Sequence, residues 1–192
     1  MGGTWQSILH RTMAWVASPQ ETDEGPGRNT YWFYGSPGIG KTSLAHSICE
    51  KLHDRQQLAG GFFCRRGDPQ LSQPAHVIST LVITLAGIFP PFRRMVAERL
   101  QKDRNLTSKT MKDTLVLNFI HNLPHHPTHA LVFVIDALDE CGDDWSRPGL
   151  LKVLTDTAAH APWLKVIIAS RPEADIQHFF DAPNAQPHLR YD

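Results

Sequence analysis

Apolar and polar positions alternate along the chain in blocks whose spacing changes from helical to continuous and back. Over residues 5–16, Trp5, Ile8, Leu9, Ala14, Trp15 and Val16 recur with roughly helical spacing before Ser18-Pro19, which predicts a lead-in helix. Residues 18–29, SPQETDEGPGRN, are acidic and rich in Pro and Gly, as expected of a surface connection. The aromatic and β-branched run TYWFY at 30–34 then reads as a buried strand. Beyond a glycine-rich turn, Leu44, Ala45, Ile48 and Leu52 share one face of a helix over 41–53.

The run GFFC at 61–64 predicts a second strand, followed by helices over 74–89 and 92–100. A polar break at 101–110 separates these from a helix over 111–123, carried by Leu115, Phe119 and Ile120. Residues 130–135, ALVFVI, are continuously apolar, which marks a central strand covered on both faces. The run LKVIIA at 164–169 repeats that pattern, a helix is expected over 172–180, and HLRY at 188–191 supplies one last strand. Strands alternating with helices predict an α/β fold: a parallel sheet, helices on both faces, and ligands beyond the carboxyl ends of the strands.

Composition narrows the function classes. A chain of 192 residues with 41% hydrophobic and 20% charged residues is sized for one domain and is neither disordered nor fibrous. Lys plus Arg equals Asp plus Glu at 19 each, so no basic excess argues for nucleic acid or an anionic membrane, and any anion site must be local. Cys49, Cys64 and Cys141 are odd in number and form no CxxC pair, which suits a reducing compartment, with the cytoplasm as the expectation. The apolar stretch at 77–92 is interrupted by Ser79, Thr80, Thr84, Gly87 and Pro90-Pro91, so no membrane span is expected. His121, His125, His126 and His129 lie near Pro124 and Pro127 with no cysteine or carboxylate close by, and read as a solvated connection rather than a zinc site.

The chemistry concentrates in three segments, each following a predicted strand. Gly35-Ser36-Pro37-Gly38-Ile39-Gly40-Lys41-Thr42 matches G-x-x-x-x-G-K-T between a strand and a helix. Glycines let the backbone curl with its N–H groups inward, where the helix N-terminus adds partial positive charge. Pro37 brings no N–H, so the donors come from Gly38 to Thr42. Lys41 is expected to reach the β- and γ-phosphates and Thr42 to ligate Mg²⁺, with Ser43 completing the nucleotide-binding set. The plainer reading is a glycine-rich turn carrying a solvated lysine.

Asp136-Ala137-Leu138-Asp139-Glu140 puts three carboxylates just past a buried strand. Mg²⁺ takes hard oxygen ligands, and Asp136 supplies a rigid one, while Asp139 or Glu140 can orient and deprotonate the attacking water. The competing reading has these acids capping the following turn. Arg171 follows the 164–169 strand and is expected to sense the γ-phosphate, against the alternative of a solvated surface arginine.

The segments FYGSPGIGKTS, LVFVIDALDEC and IIASRPE resemble the Walker A, Walker B and arginine-bearing sensor strand of the NACHT domains of the STAND group of P-loop NTPases, particularly those of fungal NLR-like proteins. The small Ala137 after Asp136, with acids displaced to Asp139 and Glu140, resembles the NACHT variant. The resemblance runs from about residue 5 to the end. It implies a three-layer P-loop NTPase fold with sheet order 5-1-4-3-2, ATP or GTP with Mg²⁺, and a switch coupled to homo-oligomerisation or to other NLR-type chains. Residues 1–29 then form a lead-in helix and linker, and residues 30–192 a NACHT-type domain truncated before the winged helix and repeats that usually follow. The expected function is ATP or GTP binding with slow hydrolysis; the alternatives are a nucleotide-binding scaffold with negligible turnover and a small-molecule kinase. The lack of an Asn-Lys-x-Asp segment leans towards adenine.

Overall fold

Five of the apolar runs become the strands β1 (Thr30–Tyr34), β2 (Leu58–Phe63), β3 (Leu131–Asp136), β4 (Leu164–Ser170) and β5 (His188–Tyr191). The computed structural model describes residues 2–18, 21–22, 25–26, 29–102, 127–182 and 188–191. The strands form one sheet in the order β5-β1-β4-β3-β2, and every neighbouring pair is parallel. This is the 5-1-4-3-2 order expected. Among the described residues six helices accompany it: α1 (Gly2–Ala17), α2 (Lys41–Asp54), α3 (Pro74–Ile88), α4 (Pro90–Lys102), α5 (Ser146–His160) and α6 (Ala174–Asp181).

Every residue of β3 and β4 is buried, and the strand period of two sends alternate side chains into two cores. Leu131, Phe133 and Ile135 of β3 and Val166 and Ile168 of β4 join Leu81, Leu85, Leu154 and Phe180 on one side. Val132, Val134, Ile167 and Ala169 join Val16 of α1 and Leu44, Ile48 and Leu52 of α2 on the other. The continuous apolar runs therefore serve both layers at once. Each fully buried Leu, Ile or Phe contributes about 1.5–3 kcal/mol, so truncating Phe133, at 0% exposure, to Ala is expected to cost about 3–5 kcal/mol.

Several boundaries differ from the sequence reading. Strand β2 starts at Leu58 rather than 61; Gly60 and Gly61 mask its β character, and its register shifts between Leu58 and Gly60. Helix α1 is longer than residues 5–16, α4 extends to Lys102, and α6 begins at Ala174, beyond Pro172. The linker contains a two-residue antiparallel pair, Glu21–Thr22 with Gly25–Pro26. Helix α5 has no counterpart in the sequence reading, because Pro148-Gly149 looks like a break. Pro148 falls in the first helical turn, where its missing N–H has no intrahelical partner to lose. The helix expected over 111–123 and His121, His125 and His126 lie outside the described residues. His129 is exposed, with ring Nε2 3.2 Å from the Gln56 carbonyl. Among the described residues, no helix is long and apolar enough to cross a membrane.

One buried cation ties α1 to the sheet. Lys165 of β4 is 1% exposed, and its Nζ donates to the carbonyls of Trp15 (2.6 Å), Val16 (3.2 Å) and Ser18 (3.1 Å) and to the Ser18 hydroxyl (3.2 Å). The last carbonyls of a helix lack partners of their own, so Lys165 caps α1 from the side. Its ammonium also lies 4.9 Å from the centre of a Trp15 ring. Burial pushes the Lys165 pKa down to about 8.

Candidate nucleotide-binding site

Where β1 ends, residues 35–40 turn the chain into α2. Gly38 (φ 78°) and Gly40 (φ 92°) adopt left-handed backbone that side chains rarely tolerate. A Cβ added at Gly38 would meet nothing within 4 Å, so the loop stands in open space there. Helix α2 has no side-chain N-cap and no acidic residue in its first turn, which leaves its positive end available to an anion. Lys41 lies across the loop, its Nζ donating to the carbonyls of Gly35 (2.8 Å) and Ser36 (3.0 Å). Burial holds its ammonium below the ordinary lysine range, and Arg171 adds repulsion, while Asp139 and Asp136 oppose both.

Asp136 closes β3 at 2% exposure. Burial raises its carboxyl pKa, opposed by hydrogen bonds from the Thr42 hydroxyl and the Ala137 amide and by the charges of His46 and Lys41. Its Oδ1 is buried without a hydrogen-bond partner among the described residues. A buried, unmatched carboxylate oxygen beside a hydroxyl is the donor set a small divalent cation takes, so these residues fit Mg²⁺. Ala137, in left-handed backbone at φ 55°, then turns the chain into a 3₁₀ turn over Leu138–Glu140.

That turn delivers the other two acids. Asp139, 3% exposed, accepts a hydrogen bond at Oδ1 from the Arg171 backbone N–H (2.9 Å), while its Oδ2 is 3.4 Å from Arg171 Nε. Glu140 is half-buried, and its Oε2 accepts from the Arg66 N–H at 2.9 Å. Asp139 therefore bridges the ends of β3 and β4, and Glu140 bridges β3 to the segment after β2.

A cleft of about 290 Å³ collects Pro37, Gly38, Gly40, Lys41, Thr42, Asp136, Ala137, Asp139, Glu140 and Arg171 in its walls. The remaining candidates lie elsewhere. Gly35 and Ser36 stand behind the wall and hold Lys41 through their carbonyls. Ile39 is 42% exposed, and its side chain occupies the space a Cβ on Gly35 would need. Ser43 lines a neighbouring groove of about 340 Å³ with Gln6 and Leu9 of α1 and Leu44 and Ser47 of α2; Gly40 borders both spaces. Sequence reasoning missed Arg66 and Arg147, which grip the acidic turn from outside the cleft. Neither occurs in a motif, and no local pattern marks them.

A glycine loop opening α2 and an acidic strand end, facing one cleft at the edge of a β5-β1-β4-β3-β2 parallel sheet, define the fold of the P-loop ATPases. Solved structures share it at low identity: Cdc6p from Pyrobaculum aerophilum (14% identity, TM-score 0.56, covering 98% of this chain and 44% of that chain) and the Aeropyrum pernix ORC1 protein in complex with DNA (15%, 0.55, 97% and 45%). Drosophila ORC bound to DNA is similar at 18% identity and TM-score 0.53, covering 98% of this chain and 29% of that one. The chain thus spans less than half the length of these neighbours, and the likeness concerns the fold alone. Residues 3–171 match the family described as Nephrocystin 3, N-terminal, and the chain belongs to that family. No curated relative matches the sequence.

Proposed function

We propose that this chain binds ATP or GTP in the cleft between β1, β3 and β4 and hydrolyses it slowly, as a NACHT-type switch module of the STAND group. The observation that carries the reading is the convergence of Lys41, Thr42, Asp136, Asp139, Glu140 and Arg171 on one cleft at the carboxyl edge of the sheet. The inward amides from Gly38 to Thr42 bind the phosphates, and Lys41 exchanges its carbonyl partners for β- and γ-phosphate oxygens. The Thr42 hydroxyl and the Asp136 carboxylate would hold Mg²⁺, which when bound neutralises charge on the phosphates. Ser43, at the start of α2, faces the adjoining groove and contributes at the margin of the nucleotide.

The two acids are held differently, which supports different roles for them. Asp139 directs its carboxylate to Arg171, whereas Glu140 is tethered through one oxygen only and borders the cleft. Glu140 is therefore the general base that orients and deprotonates water, and Asp139 governs Arg171. A γ-phosphate entering the cleft competes with Asp139 for the Arg171 guanidinium, which supplies a two-position element for a switch. Coupling of that switch to homo-oligomers or to other NLR-type chains rests on the resemblance of the three motifs.

Two measurements test the reading. Lys41→Ala is expected to abolish binding of a fluorescent ATP analogue, and unchanged affinity would overturn the assignment of the cleft. Glu140→Gln is expected to keep binding and to lower phosphate release at least about 100-fold. Retained binding with no release even in the wild type would replace slow hydrolysis by a nucleotide-dependent scaffold.

A further inference from the structure

Among the described residues Arg147 is the one buried arginine, at 4% exposure, although it lies in a polar stretch that could have left it in water. Burying a guanidinium is costly unless its donors are matched. Here they are matched: Nη1 donates to the Asp139 carbonyl, Nε to Asp175 Oδ2 and Nη2 to Asp144 Oδ1, each at 2.7 Å. Asp144 is 82% exposed, so its contact contributes little. Asp175, 12% exposed, and the Asp139 carbonyl are the partners that hold the buried charge.

These contacts close a ring. Asp175 on α6 binds Arg147 on α5, Arg147 binds the backbone of Asp139, and the Asp139 side chain binds Arg171. Arg171 leads directly into the segment that carries Asp175. Two members, Asp139 and Arg171, line the cleft; Arg147 and Asp175 stand behind it. We propose that Arg147 is a positioning residue for hydrolysis: by gripping the Asp139 carbonyl it fixes the Leu138–Glu140 turn in the register at which Asp139 meets Arg171 and Glu140 borders the cleft. This inference rests on the hydrolytic reading above. It predicts a specific separation of effects, because Arg147 does not line the cleft. A loss of register of about 1 Å in the turn is enough to cost about 100-fold in rate while leaving phosphate binding to the Gly38–Thr42 amides and Lys41.

The test is steady-state phosphate release together with the dissociation constant of a fluorescent ATP analogue, for wild type, Arg147→Lys and Asp175→Asn in the full chain. Arg147→Lys keeps a positive charge but lacks the planar fork that serves two partners at once. It is expected to lower kcat about 10- to 100-fold with KM and analogue affinity within about threefold of wild type. Asp175→Asn, which keeps an acceptor for Arg147, is expected to show the same split at about 3- to 10-fold. A folded Arg147→Lys with kcat within twofold of wild type would overturn the proposal, as would parallel losses of kcat and affinity. If Arg147→Lys fails to fold, Asp175→Asn decides by the same criteria. A wild type that binds the analogue yet releases no phosphate overturns this inference together with hydrolysis, whereas a wild type that binds no analogue overturns the cleft assignment itself.

Discussion

Two lysines mark the two regions that organise this domain, and they meet backbone carbonyls in opposite circumstances. Lys165, at the junction of α1 and β4, is 1% exposed and surrounded by three carbonyls, a hydroxyl and an indole. Lys41, at the mouth of the cleft, is only partly buried, donates to two carbonyls of its own loop and faces Asp136, Asp139 and Arg171. Both ammonium groups are held below the ordinary lysine range, chiefly by burial. The difference lies in what could replace their partners. Nothing can enter beside Lys165, so its bonds serve stability; an open loop and a cleft of about 290 Å³ adjoin Lys41, so its bonds are exchangeable for those of an anion. A lowered lysine pKa alone therefore does not identify a functional site; adjacency to open space separates the two.

Among the lysines, the largest effect expected on stability is at the sealed one. Lys165→Met should lower unfolding free energy by roughly 1–3 kcal/mol, because the α1 carbonyls lose their donor in a dry site, with nucleotide affinity unchanged. Chemical denaturation of both proteins checks this, and a loss of nucleotide binding in the folded variant would erase the contrast. The same pair carries a pH signature. The folded chain releases the Lys165 proton near pH 8 and the unfolded chain near 10.5, so between those values the unfolded state binds more protons. Wild-type stability relative to Lys165→Met should therefore rise with pH across that window.

Asp136→Asn should act in the opposite direction. Burial raises the Asp136 pKa, so the folded state disfavours its charge, and wild-type stability falls as pH climbs from 3.8 through the raised folded value. Removing the charge is expected to stabilise the nucleotide-free protein at neutral pH by about 1 kcal/mol, seen as a higher Tm, provided the Thr42 bond survives. A lower Tm would show that the carboxylate is already compensated. The smallest effect belongs to a third, exposed lysine. Lys152 is 70% exposed and pairs with Asp156 at 2.8 Å one helical turn away, and Lys152→Ala should change stability by no more than about 0.5 kcal/mol.

Much of this arrangement was legible because it is local in sequence. The continuous apolar runs mark β3 and β4 as interior strands, and the glycine string between a strand and a helix puts Lys41 and Thr42 at the start of α2, where the structure has them. The strand order came from resemblance, since periodicity carries no information on which strands are neighbours. What stayed hidden depends on distant partners. Lys165 interrupts an apolar run, and its role exists only once the end of α1, some 150 positions earlier, packs over it. Arg147 sits beside Pro148-Gly149, a pair that reads as a break, and its grip on Asp139 and Asp175 appears only when α5, α6 and the acidic turn meet. The start of β2 is hidden in the sequence because its glycines carry no apolar side chain for a pattern to register.

In the proposed function, Lys41, Thr42 and Asp136 serve one metal-bound triphosphate. Calorimetric titration of ATP into wild type and Asp136→Asn, each with Mg²⁺ and with EDTA, addresses it most directly. Mg²⁺ is expected to tighten binding to the wild type at least about tenfold and to leave Asp136→Asn nearly unaffected. An equal Mg²⁺ dependence in the two proteins would contradict it.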